Sequence, residues 1–306
     1  MTPPVPVHLA PTDVPEYRRA IAAGGGEVVD APHARVLVWS IHREPEALAR
    51  TLERCPRVEW VMLPSAGVDR FLAAGVLDPS LTWVSAKGVY ARPVAEHALT
   101  LTLALLRSIR ERARAESWGV KRGRTLFGSR VLVIGGGGIA RELAALLVPF
   151  GVHLTVCRRT PDPVAFAHAT IAPDRVAEHV GDADVVVVAV PLSDATRGMV
   201  DADLLARMKE SSVLVNVGRG AVVVTDDLVD ALAAGTIAGA GLDVTDPEPL
   251  PDGHPLWSQE LALITPHTAN THEMNVPLFA DRIVENLERY AAGRRPRGLV
   301  DVAAGY

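Results

Sequence analysis

The segment Arg130-Val-Leu-Val-Ile-Gly-Gly-Gly-Gly-Ile-Ala-Arg-Glu-Leu-Ala-Ala-Leu-Leu-Val-Pro-Phe150 decides the fold class of this chain. After Arg130 comes the apolar run Val131-Leu-Val-Ile134, rich in β-branched residues, which is typical of a strand buried on both faces. Four glycines follow, and residues 141–150 have the composition of a helix. A strand, a glycine turn and a helix in this order predict a βαβ unit of a doubly wound α/β fold.

The same alternation of short apolar runs and helical segments continues along most of the chain, as expected for α/β architecture. Two long helices are predicted, at Pro93–Glu116 and Glu273–Ala292. A helix of about 24 residues would be about 36 Å long, which suits one that bridges two lobes. Ten segments are predicted as buried strands: Val5–Leu9, Arg35–Ser40, Glu59–Leu63, Thr82–Ser85, Arg130–Gly135, His153–Cys157, Asp184–Val190, Val213–Val217, Ala238–Asp243 and Leu261–Thr265.

The chain length of 306 residues indicates two domains, at roughly 100–200 residues per domain. We predict a discontinuous arrangement, in which residues 1–96 and 272–306 form one lobe and residues 97–271 form the other. The irregular, basic loop Trp118–Arg124 is either a contact between subunits or a solvated turn.

The bulk composition excludes several classes of protein. A net charge of −5 argues against a nucleic-acid-binding protein, which would need a basic face. The start of the chain lacks the basic and apolar regions of a signal peptide, and the apolar run Val185–Leu192 is too short to span a bilayer. Cys55 and Cys157 make neither a disulfide framework nor a CxxC pair, and the histidines show no zinc-site spacing. We therefore expect a cytoplasmic protein with no metal and no membrane partner.

The glycine turn matches a dinucleotide-binding fingerprint in the register Gly135-x-Gly137-x-x-Ala140. The first glycine makes the tight turn, the second admits the pyrophosphate, and the third position allows close packing of helix and strand. Gly138 and Ile139 open the helix, whose N-terminal N–H groups would face the phosphates. An ordinary glycine-rich turn of the same fold is the alternative.

The end of the next strand indicates which dinucleotide is preferred. An NAD enzyme usually has a carboxylate there that binds the ribose 2′-hydroxyl. This chain has Arg158 and Arg159 instead, and no acidic residue before Asp162. Because a guanidinium binds a 2′-phosphate in a bidentate manner, we predict a preference for NADP(H), with NAD(H) as the second choice. The alternative is that both arginines point to solvent.

Three further residues follow three different predicted strands at their carboxyl ends. They are Arg219, Glu248 and His267. Ligands of open α/β sheets bind at that edge. Arg219 could hold a 2-keto acid, His267 could give a proton to the reduced carbonyl, and Glu248 could favour the protonated imidazole. Taken singly, the three could be a surface turn, a loop charge and a packed histidine.

The chain resembles the D-isomer-specific 2-hydroxyacid dehydrogenase family over essentially its whole length. The motifs that carry the resemblance are Gly135–Ala140, Pro191-Leu-Ser-Asp-Ala-Thr196-Arg-Gly198, Asn216-Val-Gly-Arg219-Gly220, Gly241-Leu-Asp243-Val, Glu248-Pro-Leu-Pro251 and Thr265-Pro-His267. The resemblance implies a Rossmann cofactor domain inserted in a flavodoxin-like substrate domain, and a homodimer. It implies Arg219 as substrate clamp, His267 as acid and base, and Glu248 as its partner.

The resemblance also implies further contacts. Asp243 would contact the nicotinamide amide, and the cofactor cleft would be lined by Pro191, Thr196, Val217 and Gly218. In the first lobe, the N–H groups of Ala66 and Gly67 would receive the substrate carboxylate. Tyr90 stands where the family often has Asn, so Tyr90 or Arg92 either reaches the pocket or packs in the hinge between the lobes.

The reaction expected is the reduction of a small 2-keto acid of the glyoxylate or hydroxypyruvate type to the D-2-hydroxy acid. Oxidation of the phosphoglycerate dehydrogenase type is an alternative, although such enzymes commonly carry an appended regulatory region and none is expected after Tyr306. Formate dehydrogenase resembles the chain less well, because its histidine pairs with Gln. A different class of function is a non-catalytic dinucleotide sensor or corepressor on the same fold.

Overall fold

The computed structural model describes residues 3–303, and these residues form two compact units. The first unit is discontinuous and takes in residues 3–90 and 271–303, whereas the second is Ala91–Asn270. The boundaries therefore fall after Tyr90 and after Asn270, compared with the expected positions after residues 96 and 271. The allocation of substrate binding to one unit and cofactor binding to the other stays a prediction.

The first unit is built on a five-stranded parallel sheet with the order β2-β1-β3-β4-β5. This is the flavodoxin-like order. Its strands are β1 Val5–Ala10, β2 Gly26–Val28, β3 Val36–Trp39, β4 Trp60–Met62 and β5 Thr82–Val84, and its helices are α1 Pro15–Ala23, α2 Pro45–Glu53, α3 Asp69–Ala73 and α11 His272–Ala291. Helix α11 packs on α1, where the rings of Tyr17 and Phe279 meet edge to face at 5.4 Å.

The second unit has a seven-stranded parallel sheet with the order β12-β11-β10-β9-β6-β7-β8. Its strands are β6 Arg130–Ile134, β7 His153–Cys157, β8 Ala169–Ile171, β9 Val185–Val188, β10 Val213–Asn216, β11 Gly239–Leu242 and β12 Ala262–Ile264. Its helices are α4 Ala91–Leu106, α5 Ile109–Ala113, α6 Gly138–Leu147, α7 Val176–His179, α8 Ala202–Arg207, α9 Thr225–Ala233 and α10 Pro255–Ser258.

The strand order of the second sheet reverses at β6, which pairs with β7 on one side and β9 on the other. This is the Rossmann arrangement extended by one strand, and ligands of such sheets bind at the carboxyl ends beside the switch point. The four valines of β9 are all buried, as a central parallel strand requires. The predicted fold class is confirmed.

All ten predicted strands are present, most of them a residue or two shorter than expected. Two strands were not predicted, β2 and β8. Each has three residues and lies at the edge of its sheet. Unlike the equally short β4, β5 and β12, neither contains two adjacent large apolar residues, so neither stands out as an apolar run in the sequence.

The prediction of one helix over Pro93–Glu116 is wrong, because α4 ends at Leu106 and α5 is a separate short helix. Ser108 between them has a left-handed backbone with φ of 50°. The carbonyl of Leu106 accepts a hydrogen bond from the Arg124 N–H at 2.7 Å. This carbonyl is therefore not available to an N–H group of a further helical turn. None of the side chains of α5 is buried, so no core contact favours continuing the helix.

Among residues 3–303, no helix is both long enough and apolar enough to cross a membrane.

Candidate active site

The glycine turn after β6 has the shape that the fingerprint requires. Gly135 has φ of 125°, and a Cβ there would lie 2.5 Å from the carbonyl oxygen of Ala189, so only glycine fits. Gly137 precedes α6, and a Cβ at this position would meet no heavy atom within 4 Å. Ala140 of α6 is fully buried. The open space beside Gly137 and the N–H groups of the first helical turn suit an anion, and the binding of a cofactor there stays a prediction.

Arg158 follows β7 and lies against this turn. A Cβ on Gly136 would come within 2.9 Å of the Arg158 Cβ and 3.1 Å of its Cδ. The Arg158 N–H donates to the carbonyl of Ile171 at 3.0 Å, which fixes the backbone from which the side chain starts. Arg158 is half-buried, whereas Arg159 is exposed. Of the two predicted arginines, the structure therefore places Arg158 along the glycine turn.

The loops after β9 and β10 lie side by side. The Thr196 hydroxyl donates to the carbonyl of Pro191 at 2.7 Å and accepts from the Ser193 N–H at 2.9 Å, which closes the first loop on itself. Val217 is buried, and a Cβ on Gly218 would lie 2.8 Å from the carbonyl oxygen of Val190. The predicted cleft residues thus belong to two adjacent turns at the carboxyl edge of the sheet. Their contact with a cofactor stays a prediction.

The turn that carries Arg219 is shaped by Asn216, the last residue of β10. The fully buried amide of Asn216 donates through Nδ2 to the Arg219 carbonyl and accepts at Oδ1 from the Gly218 N–H, both at 3.0 Å. Arg219 is half-buried, and its Nη1 donates to the Gly218 carbonyl at 2.8 Å. The positioning role of Asn216 was not predicted from the sequence, although Asn216 is the first residue of the Asn-x-Gly-Arg-Gly motif.

Gly220 joins this turn to the loop that follows β11. A Cβ on Gly220 would lie 1.9 Å from the carbonyl oxygen of Thr245, so no other residue fits without moving one of the two loops. The Thr225 hydroxyl adds a second connection by donating to the Asp246 carbonyl at 2.6 Å. These contacts hold the Arg219 turn against the segment that leads to Glu248.

Glu248 and His267 form a hydrogen-bonded pair, as the sequence predicted. Nδ1 of His267 lies 2.9 Å from Oε1 of Glu248. An ionised carboxylate can only accept, so Nδ1 carries the proton and Nε2 is left to exchange a proton with a ligand. The side chains are 44% and 33% exposed for His267 and Glu248, respectively, so a ligand can reach the imidazole.

His267 has an unusual backbone for a residue with a side chain, with φ of 53°. A left-handed residue other than glycine costs about 1–2 kcal/mol. Its N–H donates to the carbonyls of Asp243 at 2.8 Å and Thr265 at 2.9 Å, which offsets part of this cost. The imidazole is therefore presented by a strained turn that its neighbours hold in place.

The carboxylate of Asp243 holds both sides of that turn. Oδ1 accepts from the Thr265 hydroxyl at 2.7 Å and from the Thr268 N–H at 2.9 Å, and Oδ2 accepts from the Ala269 N–H at 3.1 Å. Asp243 is only 2% exposed. Donors on both sides of His267 thus converge on one buried carboxylate. The contact with the nicotinamide that the resemblance implies stays a prediction.

His97 of α4 completes the network around Asp243. Its Nε2 lies 2.9 Å from the Thr265 hydroxyl oxygen and 3.3 Å from Oδ1 of Asp243. Burial raises the pKa of Asp243, but hydrogen bonds from His97, Thr265, Thr268 and Ala269 outweigh it and lower the pKa below its ordinary value of 3.8. Asp243 is therefore ionised at neutral pH. Neither His97 nor Thr265 was predicted as a site residue, because each acts through another residue.

Comparison with known proteins places this geometry among dinucleotide-dependent dehydrogenases. Residues 99–269 match the family described as D-isomer specific 2-hydroxyacid dehydrogenase, NAD binding domain. A Corynebacterium melassecola protein, described as an uncharacterized protein in the proB 3′ region, is 44% identical over 256 residues, which are 81% of this chain and 84% of that protein.

Among the solved structures that match over nearly the full length of the chain are one from Xanthobacter autotrophicus and one from Sinorhizobium meliloti. A D-isomer specific 2-hydroxyacid dehydrogenase from Xanthobacter autotrophicus, in complex with NADPH and MES, has a TM-score of 0.85, 28% identity and 99% coverage of both chains. An NADPH-dependent glyoxylate/hydroxypyruvate reductase from Sinorhizobium meliloti, in complex with NADP and sulfate, has a TM-score of 0.82, 25% identity and 99% coverage of both chains.

Replacing Asp243 tests its role in holding the His267 turn. Because the folded pKa is lowered, the stability from this carboxylate is present above pH 3.8 and is lost as the pH falls through the lowered value. We expect Asp243→Asn to lower the free energy of unfolding at pH 7 by about 2 kcal/mol, with the difference from the parent protein narrowing below pH 3.8.

Denaturant unfolding at pH 7 and at pH 3 measures both values. Asp203→Asn, which changes an exposed carboxylate of α8, is the matched control and should have little effect. An Asp243→Asn protein as stable as its parent at pH 7 would show that the carboxylate does not hold the turn.

Proposed function

Because the chain belongs to the D-isomer-specific 2-hydroxyacid dehydrogenase family, we propose that it reduces a small 2-keto acid, of the glyoxylate or hydroxypyruvate type, to the D-2-hydroxy acid with NADPH. The observation that carries the proposal is the Glu248–His267 pair, with Nε2 of the imidazole left to act on a ligand. The Sinorhizobium meliloti reductase, which shares the whole fold, acts on this class of substrate according to its name.

The residues of the second unit match the needs of this reaction. When bound, the reduced nicotinamide would supply a hydride to the substrate carbonyl. The developing alkoxide then needs a proton, which we assign to Nε2 of His267, while Glu248 stabilises the charged imidazolium. Arg219 bears a permanent charge and a planar set of donors, so it is assigned to hold the keto acid and polarise its C2 carbonyl.

The first unit offers a site for a carboxylate in the loop Ser65–Gly67, which follows β4. Among residues 3–303, the N–H groups of Ala66 and Gly67 make no hydrogen bond. Ala66 is exposed and Gly67 is half-buried, so these donors are accessible from solvent. Adjacent free N–H groups in a loop suit an anion. We assign them to the carboxylate of the substrate.

The cofactor assigned to the glycine turn is NADP(H), with NAD(H) as the weaker alternative. The proposal rests on the position of Arg158, whose aliphatic part lies on Gly136 and whose guanidinium replaces the usual ribose-binding carboxylate. The relatives from Xanthobacter autotrophicus and Sinorhizobium meliloti bind NADPH and NADP, respectively.

The homodimer and the cytoplasmic location expected from the sequence stay predictions. Large apolar side chains are exposed in and around the loop Trp118–Arg124, namely Ile109, Trp118, Val120 and Phe127. Several exposed apolar side chains within one short stretch of the sequence favour a contact between subunits over a solvated turn.

A panel of substrates decides between an enzyme and a sensor. We expect purified protein to oxidise NADPH in the presence of glyoxylate or hydroxypyruvate, and more slowly with pyruvate or phenylpyruvate, as followed by absorbance. Oxidation of 3-phosphoglycerate by the same protein, with NAD⁺ or NADP⁺, tests the alternative reaction. Binding of NADPH without turnover of any 2-keto acid would refute the proposed activity and favour a dinucleotide sensor.

Arg219→Ala should lower kcat/KM for the keto acid by about 100- to 1000-fold, because the variant loses both a carboxylate ligand and a donor to the developing alkoxide. Steady-state kinetics with NADPH at saturation measure this loss. Arg207→Ala, which removes an exposed arginine of α8, should behave like the parent protein. Activity of Arg219→Ala within the error of the parent would exclude Arg219 from the reaction.

Arg158→Gln tests the cofactor preference. We expect kcat/KM for NADPH to fall by about 10- to 100-fold, because a charge-assisted hydrogen bond to the 2′-phosphate is lost, while the value for NADH stays within error. Arg175→Gln, an exposed arginine of the same unit, is the control. Equal losses with both cofactors, or a parent protein that prefers NADH, would contradict the assignment.

A further inference from the structure

Tyr90 ends the first of the two segments that make up the first unit, immediately before α4. Its side chain is 4% exposed, and its hydroxyl donates to the carbonyl of Pro64 at 2.5 Å. Burial raises the pKa of Tyr90 far above its ordinary value, so the hydroxyl keeps its proton and remains a donor. The side chain is therefore committed to a contact inside the first unit. Arg92, the other residue whose role the sequence left open, is exposed.

Pro64 leads directly into the loop Ser65–Gly67, which we have assigned to the substrate carboxylate. Its neighbour Ser65 accepts from the Ala86 N–H at 2.9 Å through its carbonyl. The Ser65 hydroxyl is buried and makes no hydrogen bond to any described residue. The main chain at the entrance of the loop is thus anchored through two successive carbonyls, one by Tyr90 and one by Ala86.

These two hydrogen bonds influence the direction in which the free N–H groups of the loop point. A peptide unit is planar and trans, so its carbonyl and its N–H point in opposite directions. The bond from Ala86 to the Ser65 carbonyl therefore sets the direction of the Ala66 N–H. The hydrogen bond from the Tyr90 hydroxyl to the Pro64 carbonyl fixes the plane of the Pro64–Ser65 peptide. The Ser65–Ala66 peptide continues from that plane.

We infer that Tyr90 is a positioning residue for substrate binding, whose hydroxyl orients the Ser65–Gly67 loop so that the N–H groups of Ala66 and Gly67 converge on the carboxylate of the 2-keto acid. The inference rests on the proposed function.

Tyr90→Phe removes the hydroxyl and keeps the packing. A carboxylate contact is made equally in the ground state and the transition state, so its loss raises KM and leaves kcat in place. We expect KM for the keto acid to rise by about 2- to 10-fold, the factor that corresponds to one hydrogen bond, while kcat and KM for NADPH stay within error.

Tyr290→Phe is the matched control, because it removes one hydroxyl of the same unit, which donates to Glu59 at 2.6 Å. Its KM values should equal those of the parent protein. An unchanged KM for the keto acid in Tyr90→Phe, or an equal rise in KM for NADPH, would overturn the inference.

Hydrogen exchange separates this inference from the proposed function. The amide of Ala86 reports on the Ser65 carbonyl, whereas the amide of Leu63 donates to Val84 within the sheet at 2.7 Å. We expect faster exchange at Ala86 in Tyr90→Phe than in the parent or in Tyr290→Phe, with Leu63 unchanged. If the parent protein reduces no 2-keto acid, the proposed function fails but this measurement still tests the anchor. Equal exchange at Ala86 in all three proteins would show that Tyr90 does not hold the loop.

Discussion

The buried carboxylate of Asp243 is the group on which the geometry of the candidate active site depends. The turn that presents His267 is strained and half-open to solvent, so it has little packing of its own. Asp243 compensates by collecting donors from both sides of the turn, and its main-chain carbonyl accepts from His267 itself. Desolvating a carboxylate is costly, and here several hydrogen bonds offset the cost. The result is a well-anchored turn that presents the imidazole of His267.

Close backbone packing, more than side-chain contact, brings the loops of the second unit together. Gly220 lies so near the Thr245 carbonyl that no side chain fits between the loops after β10 and β11. Asn216, the last residue of β10, then fixes the turn that leads from this strand to Gly220. Adjacent parallel strands are about 4.8 Å apart, so loops that follow them meet at one edge. The Arg219 turn and the segment that leads to Glu248 are thereby held against each other.

The sequence was informative wherever a pattern had a local cause. Buried parallel strands, the glycine turn and the pairing of Glu248 with His267 could all be predicted, because each follows from a short motif or from strand alternation. The break between α4 and α5 could not, since it depends on Arg124 returning to the Leu106 carbonyl. Asn216, His97 and Thr265 were missed as positioning residues for a similar reason. Their roles come from tertiary hydrogen bonds and not from their own reactivity.

The fit between Gly220 and Thr245 has a consequence for how this protein would respond to random mutation. A glycine has no functional group, yet any substitution there must push the Arg219 turn away from the segment that carries Glu248. In a mutational scan scored by activity, position 220 would therefore look like a catalytic residue. Sensitivity to mutation at this edge of the sheet reports how tightly two loops are fitted together as much as it reports chemistry.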